Sequence, residues 1–418
     1  LLKALQRVFT GAKKPTSTNP GSFFGGLRMT HSGVSVTPET SMTATAVFSA
    51  VRVLSEDVAK LPWELRQRRA DGGSEVLQNT SVARVLERPN RWHTSYEFRQ
   101  MLQQQLCLRG NAFAVILRNG RGDIEELVPT RPGSVTIYVA PDGDLFYQIS
   151  RAGDWEHASL RNAPLMVPKE DIVHLRWMTR DGLEGISPIA YHREAIGLSL
   201  AAEQHGAASF NNGVRPSGTL IHPGQLSKEA ADRLREQWHS EYGGSGNAGK
   251  TIVLEEGMKF EPAKPSNEDQ QFLESRRFQV EEIARIFRIP PHMIGHLDRA
   301  TFSNIESQSL DYVKNTLMAW LELWEAALKR DLLREGERSR GQYIQFDTQR
   351  ILRGTQKERY EAHQIALTNG IKSFNEVRRE EGLNPVAGGD QLMRPLNMGF
   401  VGQPDPDPAD QSGDNTDE

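Results

Sequence analysis

The stretch SNIESQSLDYVKNTLMAWLELWEAALKRDLLR, residues 303–334, decides the fold. Leu310, Val313, Leu317, Trp320, Leu321, Trp324, Leu328 and Leu332 recur at helical spacing, and Ser303 precedes Glu306 by three as in a capping box. The pattern predicts one amphipathic helix of about 31 residues, roughly 46 Å long at 1.5 Å per residue. That exceeds what a compact single domain needs, so the chain should be built around an extended rod.

Two more helical segments lie upstream. Residues 268–287 align Phe272, Val280, Ile283 and Phe287 on one side and carry Arg276, Arg277, Glu281, Glu282 and Arg285 on the other, with Pro290 and Pro291 ending the run. Residues 187–212 place Pro188 near the start and space Ile189, Ile196, Leu200 and Ala207 along one side, predicting a rod of roughly 39 Å. Its many Ala, Gly and Ser residues suit either close approach of neighbouring helices or an ordinary core helix. Between the two, a helix capped at Ser227 is followed by a glycine-rich turn and a strand, TIVLEEGMKF.

The N-terminal half mixes helices and strands. Val47, Val51, Leu54, Val58 and Leu61 predict a helix over 42–60 that Pro62 stops, and WELRQRR reads as a strand. Thr94 and Glu97 form a capping box for a helix that Gly110 closes. NAFAVILR and DIEELV flank Asn119-Gly120-Arg121-Gly122, and VTIYVA and LFYQIS flank Pro141-Asp142-Gly143, predicting two hairpins. Turn chemistry accounts for the Arg-Gly-Asp at 121–123 without an adhesive role.

A chain of 418 residues suggests two to four folded units. With 50 Lys and Arg against 54 Asp and Glu the formal charge is −4, which excludes a bulk electrostatic nucleic-acid binder. The last sixteen residues, QPDPDPADQSGDNTDE, hold six acids and no Lys or Arg; without them the charge is +2. Alternating Asp and Pro predicts a solvated, disordered tail, and the Gly, Ser, Thr and Pro of 10–41 predict a flexible arm with a basic beginning. LLKALQRVF at the start is too short and too charged for a secretory signal. No apolar run nears the roughly 18 residues of a membrane span. Cys107, the one cysteine, lies among apolar residues on the helix after Thr94, which favours an inert core thiol over a nucleophile and suits a reducing compartment.

Gly244-Ser245-Gly246-Asn247-Ala248-Gly249-Lys250-Thr251 matches the phosphate-binding pattern GxxxxGKT. Phosphate binding there needs a strand before the loop and a helix after it, and the order here is the reverse. Gly249, Lys250 and Thr251 therefore read as a decoy in a helix-to-strand turn. The eleven histidines form no HExxH or His/Cys ligand spacing, and neither GxSxG nor a dinucleotide fingerprint occurs. Glu125-Glu126 and Glu281-Glu282 are adjacent, so their side chains diverge and read as solvated charge. No cofactor is implied, and the chain reads as a non-enzyme.

In order, GNAF (110–113), DGLEGISPI (181–189), FNNG with RPSG (210–218), the turn before TIVLEEG, RIPP (288–291), ATFSNIE (300–306) and NPVAGGD (384–390) resemble the portal proteins of long-tailed bacteriophages over about residues 40–398. The resemblance implies an α+β, mainly helical portal fold that assembles as a ring, expected as a dodecamer, around a channel for double-stranded DNA at one capsid vertex. It implies an N-terminal arm (1–40), a wing (41–186 and 304–353), stem helices (187–212 and 267–287), a clip (213–266), a tunnel loop (288–303), a short crown (354–402) and the acidic tail (403–418). Implied partners are the terminase large subunit, a head-tail connector or adaptor, the major capsid protein and scaffold, with no membrane; the location is the virion, and the host cytoplasm during assembly.

DNA-channel candidates on that basis are Arg276, Arg277, Arg285, Arg288, His292, His296 and Arg299, and tunnel-loop candidates are Pro290, Pro291, Asp298, Thr301 and Phe302. Lys228, Arg233, Arg235 and Trp238 are the clip docking candidates. Twelve copies would carry −48, so the ring should let DNA slide rather than grip it. The other readings are a nucleotide hydrolase using Lys250 and a tail or baseplate component.

Overall fold

Val47, Val51, Leu54 and Val58 are fully buried along one face of α1, Thr45–Ala59. The computed structural model describes residues 29–150, 166–211, 218–225, 227–242, 257–262, 267–296, 302–348 and 356–392. It divides the chain into two compact units, Leu1–Asp347 and Thr348–Glu418.

In the first unit β1 (Trp63–Arg68) and β2 (Ser74–Val76) follow α1, and α2 (Ser81–Glu87) precedes α3, Ser95–Arg109. Thr94 and Glu97 make the reciprocal bonds of a capping box at the start of α3. At its end Gly110 takes the left-handed conformation, φ 74°. The glycine is also required by packing, because a Cβ there would sit 2.0 Å from the Ile186 carbonyl oxygen. Asn111 completes the contact, donating to Gly185 O and accepting from Gly185 N–H. GNAF and DGLEGISPI, seventy residues apart in sequence, thus form one joint.

The two hairpins are β3 (Asn111–Arg118) with β4 (Ile124–Pro129), and β5 (Val135–Val139) with β6 (Leu145–Ile149). They belong to different sheets. β7 (Met166–Pro168) extends the second and β8 (Ile172–Arg176) the first, giving the orders β4-β3-β8 and β5-β6-β7, all antiparallel.

The segment read as one rod over 187–212 is broken. A turn of helix, Pro188–Tyr191, capped by Ser187, stops at His192, and α4 runs Arg193–Asn211. The Ser187 hydroxyl caps that turn and also donates to Leu108 O, tying the turn to α3. Residues 29–41, read as the end of a flexible arm, are packed. Thr30 is buried where Gly197 leaves no room for a Cβ, and Pro38–Ser41 forms a capped helical turn.

β9 (Gly218–Ile221) and β10 (Lys259–Pro262) pair antiparallel, with α5 (Lys228–Tyr242) between them in sequence. Then come α6 (Asn267–Ile286) and the long helix α7. α7 is built of Phe302–Asp311, a π-helical segment Tyr312–Leu317 and Met318–Leu332. Ser303 lies inside this helix, whose first residue is Phe302, so the expected cap at 303 is not where it begins. β11 (Gln342–Phe346) then pairs with β1 in the order β11-β1-β2, setting Trp63 opposite Phe346.

The core of this unit is aromatic. Trp63 lies 5.8 Å from both Trp324 and Phe346 and 6.3 Å from Phe98 between ring centroids. The indole N–H groups are satisfied at Leu86 O (2.7 Å) and Gln103 Oε1 (2.8 Å). Arg99 stacks 4.8 Å from the Trp63 ring and donates to Ala59 O at the C-terminus of α1, where its charge favours the helix dipole. Burial lowers its pKa to about 10, which leaves it charged at neutral pH.

A polar node joins β8 to α7. The His174 ring stacks on Phe113 at 4.3 Å. Its Nε2 donates to Asn111 Oδ1, whose amide faces Gly185, and its Nδ1 accepts from the Tyr147 hydroxyl at 3.2 Å. Asp331 accepts from the His174 backbone N–H and Arg330 donates to its carbonyl.

Two outcomes follow from this packing. Trp324→Ala should cost about 3–5 kcal/mol in urea unfolding, because the cavity opens at a fully buried ring. For His174, burial and the charges of Arg176 and Arg330 hold the pKa well below the usual histidine value. Its neutral form is the folded one, so its contribution is complete above about pH 6.5 and is lost as pH falls below that value. The stability of the parent chain relative to His174→Gln should fall by up to about 1.4 kcal/mol per pH unit below 6.5; equal pH slopes for the two would contradict this.

Candidate channel and docking site

α4 and α6 run antiparallel, since Phe272 packs on Gly206 and Arg276 reaches Glu203 at 3.3 Å. Ile283, Ala284 and Phe287 bury the end of α6. That end carries a complete left-handed cap: Ile289 N–H donates to Ala284 O at 2.9 Å and Arg288 N–H to Arg285 O at 3.2 Å. The left-handed position is Arg288, φ 54°, where a glycine is usual.

The two prolines follow at once. Pro291–Ile294 forms a 3₁₀ turn closed by Gly295. His292 is held from both ring nitrogens, Nδ1 at 2.9 Å from Gln308 Oε1 and Nε2 at 3.5 Å from Ser309 Oγ, both on α7. Thr316 on the π-helical segment donates to the Arg288 carbonyl at 2.7 Å. The two feet of the 297–301 connection are therefore clasped together.

The π-helical segment is anchored on α1 as well. Tyr312 donates to Asp57 Oδ2 at 2.6 Å, and Lys60 Nζ lies 2.5 Å from Asp57 Oδ1. Burial, with the Asp57 carboxylate beside it, pushes the Tyr312 hydroxyl far above the usual phenol range, so it remains a donor. A π turn widens the helix by one residue and commonly marks a place where side chains serve two partners. Here Tyr312 serves α1 and Thr316 serves the end of α6.

The predicted channel residues separate by environment. Arg276 is half-buried and engaged with Glu203 on the neighbouring helix, a structural pairing. Arg277, Arg285 and Arg288 are exposed. His292 is committed to α7, and His296 Nε2 lies 3.5 Å from Glu281 Oε1. Pro290 and Pro291 are half-buried in the clasp. Asp298, Arg299 and Thr301 lie outside the described residues, and Phe302 opens α7 instead of belonging to the loop. Lys228, Arg233 and Arg235 are exposed on α5, where Arg235 pairs with Asp232; Trp238 is on the same helix, its side chain outside the described residues.

Gly249, Lys250 and Thr251 also lie outside the described residues; helix α5 ends at Tyr242 before them and strand β10 begins at Lys259 after them. Among the described residues no group of three or more His, Cys, Asp or Glu could hold a metal, and no helix is long and apolar enough to cross a membrane. Cys107 is fully buried and its thiol pushed up to about 12. The clasp itself, Arg288 carbonyl to Thr316, had no expression in the periodicity, which marks Thr316 only as a polar residue beside Leu317.

The sequence matches the family model described as phage portal protein over residues 45–382. The probable portal protein of Streptomyces phage phiC31 is 35% identical over 385 residues, 90% of this chain and 83% of that protein. The portal protein of Enterobacteria phage HK97 is 28% identical over 366 residues, 86% and 83% of the two chains. A chain of the neck of a native gene transfer agent particle, computed with C12 symmetry, aligns with TM-score 0.57 and 24% identity over 91% of this chain and 99% of its own. The chain belongs to the phage portal protein family, and its role is that of a portal connector.

The clasp has a measurable signature. Thr316→Val leaves the Arg288 carbonyl without its donor and should cost about 1–3 kcal/mol. Arg288→Gly keeps the carbonyl and removes the left-handed penalty, so urea unfolding should show stability equal to the parent or up to about 1 kcal/mol higher.

Proposed function

We propose that this chain assembles as a non-enzymatic ring of twelve copies at one capsid vertex and conducts double-stranded DNA during packaging and ejection. The observation that carries the reading is the clasped end of α6, where exposed Arg285 and Arg288 adjoin the bond from Thr316 to the Arg288 carbonyl, with exposed Arg277 farther back on the same helix. α4 and α6 are the stem, and 213–266 is the clip that docks the terminase large subunit and then the head-tail connector, through α5 with its exposed Lys228, Arg233 and Arg235. Residues 41–186 and 304–353 are the wing, which meets the major capsid protein and scaffold, and 354–402 are the crown. The mature location is the virion, after assembly in the host cytoplasm. The twelvefold symmetry of the gene transfer agent neck supports the copy number.

Low positive charge suits a conduit. Each lasting cation–phosphate contact releases counterions and tightens the hold, which would oppose sliding. Three exposed arginines on α6 and just past its end, in a chain of charge −4, offer brief contacts without a continuous basic track.

Replacing 297–301 by a short Gly-Ser linker should leave ring formation intact and lower the DNA retained per particle, read by quantifying packaged genome. Undiminished DNA content would remove the loop from the account. Lys250→Ala should assemble like the parent, with neither protein releasing phosphate from ATP; phosphate release abolished by this change would favour a hydrolase.

A further inference from the structure

The three-stranded sheets of the first unit end in six edge strands, β2, β4, β5, β7, β8 and β11, and all but β5 are short or already bonded. On β4 the outward N–H of Leu127 donates to Pro89 O at 2.7 Å, and its carbonyl accepts from Asn90 Nδ2 at 2.9 Å. On β8 the outward N–H of His174 donates to Asp331 and its carbonyl accepts from Arg330. On β11 the Phe346 N–H donates to Glu325 Oε1 at 2.8 Å. β2 and β7 have three residues each, and β7 ends in Pro168, which has no N–H to offer.

β5 has none of these protections. Ala140 N–H donates to Asp144 O and Ser150 N–H to Ser134 O, at the two ends of one register. Thr136 and Tyr138 therefore bond β6, while Val135, Ile137 and Val139 turn their N–H and C=O groups away from it. Among the described residues no hydrogen bond reaches those outward groups. The strand, VTIYV, holds no charge, proline or glycine to discourage pairing. Both faces of its sheet are apolar: Ile137 packs with Tyr147, Val167 and Ile172 on one, and Tyr138 with Ala140, Phe146 and Met166 on the other. A strand laid along this edge would extend both clusters as well as the ladder. At the turn that ends β5, Asp142 and Asp144 are exposed.

We propose that β5 takes an added strand from a second polypeptide. The occupant is an extended segment, apolar on both sides along the five residues of β5, with a Lys or Arg where it passes Asp142 and Asp144. The backbone groups supply the attraction, and the charge match sets the direction in which the segment runs. β5 of another copy does not fit, because an antiparallel pair of identical strands needs a twofold axis that a single cyclic ring lacks. That exclusion rests on the ring reading above; the open edge does not.

The test follows hydrogen exchange residue by residue in the full chain, in monomers and in rings. Without a partner, the amides of Val135, Ile137 and Val139 should exchange at least about tenfold faster than those of Thr136 and Tyr138 in both. The probe is a synthetic peptide alternating valine and threonine with one terminal lysine. It should slow the three outward amides at least about tenfold and leave the two inward ones unchanged, and the same peptide N-methylated on its bonding amides should do neither. Val135→Pro removes an outward N–H without touching a bond to β6, and should weaken peptide binding at least about tenfold, while Val135→Ala, which keeps that N–H, should bind like the parent. Unchanged far-UV circular dichroism would show that both variants are folded. Outward amides as slow as inward ones in monomers would show the edge closed by the chain itself. Outward amides fast in monomers and slow in rings would make a second copy the occupant. Either result, no slowing by the peptide, or equal binding of its N-methylated form would overturn the proposal. A chain that forms no rings would overturn the ring reading instead, and the monomer pattern would still decide whether the edge is open.

Discussion

The contact of Trp63 with Trp324 closes the fold. It joins residues 261 positions apart, and the long excursion through α4, the β9–β10 module and α6 lies between them. Around it Phe98, Phe346 and the Arg99 guanidinium fill the same core, and each indole N–H finds a buried acceptor. The energy of such a cluster comes from ring area removed from water; its specificity comes from those two hydrogen bonds, which a shifted register would break. Because α7 is held there, everything between must leave this core and return to it.

That constraint also ties the end of α6 to α7 across the connection between them. Thr316 and His292 fasten its feet, and Tyr312 fastens the π-helical segment to Asp57 on α1. In the proposed conduit the stiff parts are apolar and internal, while Arg277 and Arg285 stand exposed on α6 and Arg288 just past its end.

Local chemistry was the legible part of the sequence. The capping box at Thr94, the left-handed Gly110, the two hairpin turns and the buried face of α1 each need only neighbours a few residues away, and each is found as read. Long-range pairings were not legible. Nothing near Ile172 or Gln342 says that those strands join β3 and β1, and nothing near Arg276 says that its partner is Glu203. The break at His192 escaped because periodicity continues through it, and the bond that ties the preceding turn to α3, Ser187 to Leu108, is tertiary. Periodicity also ran through the π-helical segment, whose extra residue shifts the phase: Leu310, read on the apolar side, is exposed and Tyr312 is buried. The ordered series of turn motifs carried more than any one motif, since GNAF and DGLEGISPI are two halves of one joint.

The central claim is that this chain works as a closed ring and not as a single copy. Native mass spectrometry of the purified full chain, at the concentration and salt of assembly, reads this directly. Twelve copies of a 46.9 kDa chain give a species near 560 kDa, with a ring and central opening in micrographs of the same fraction. A preparation that stays at 46.9 kDa as concentration rises, both alone and in the presence of capsid and scaffold proteins, would contradict the account.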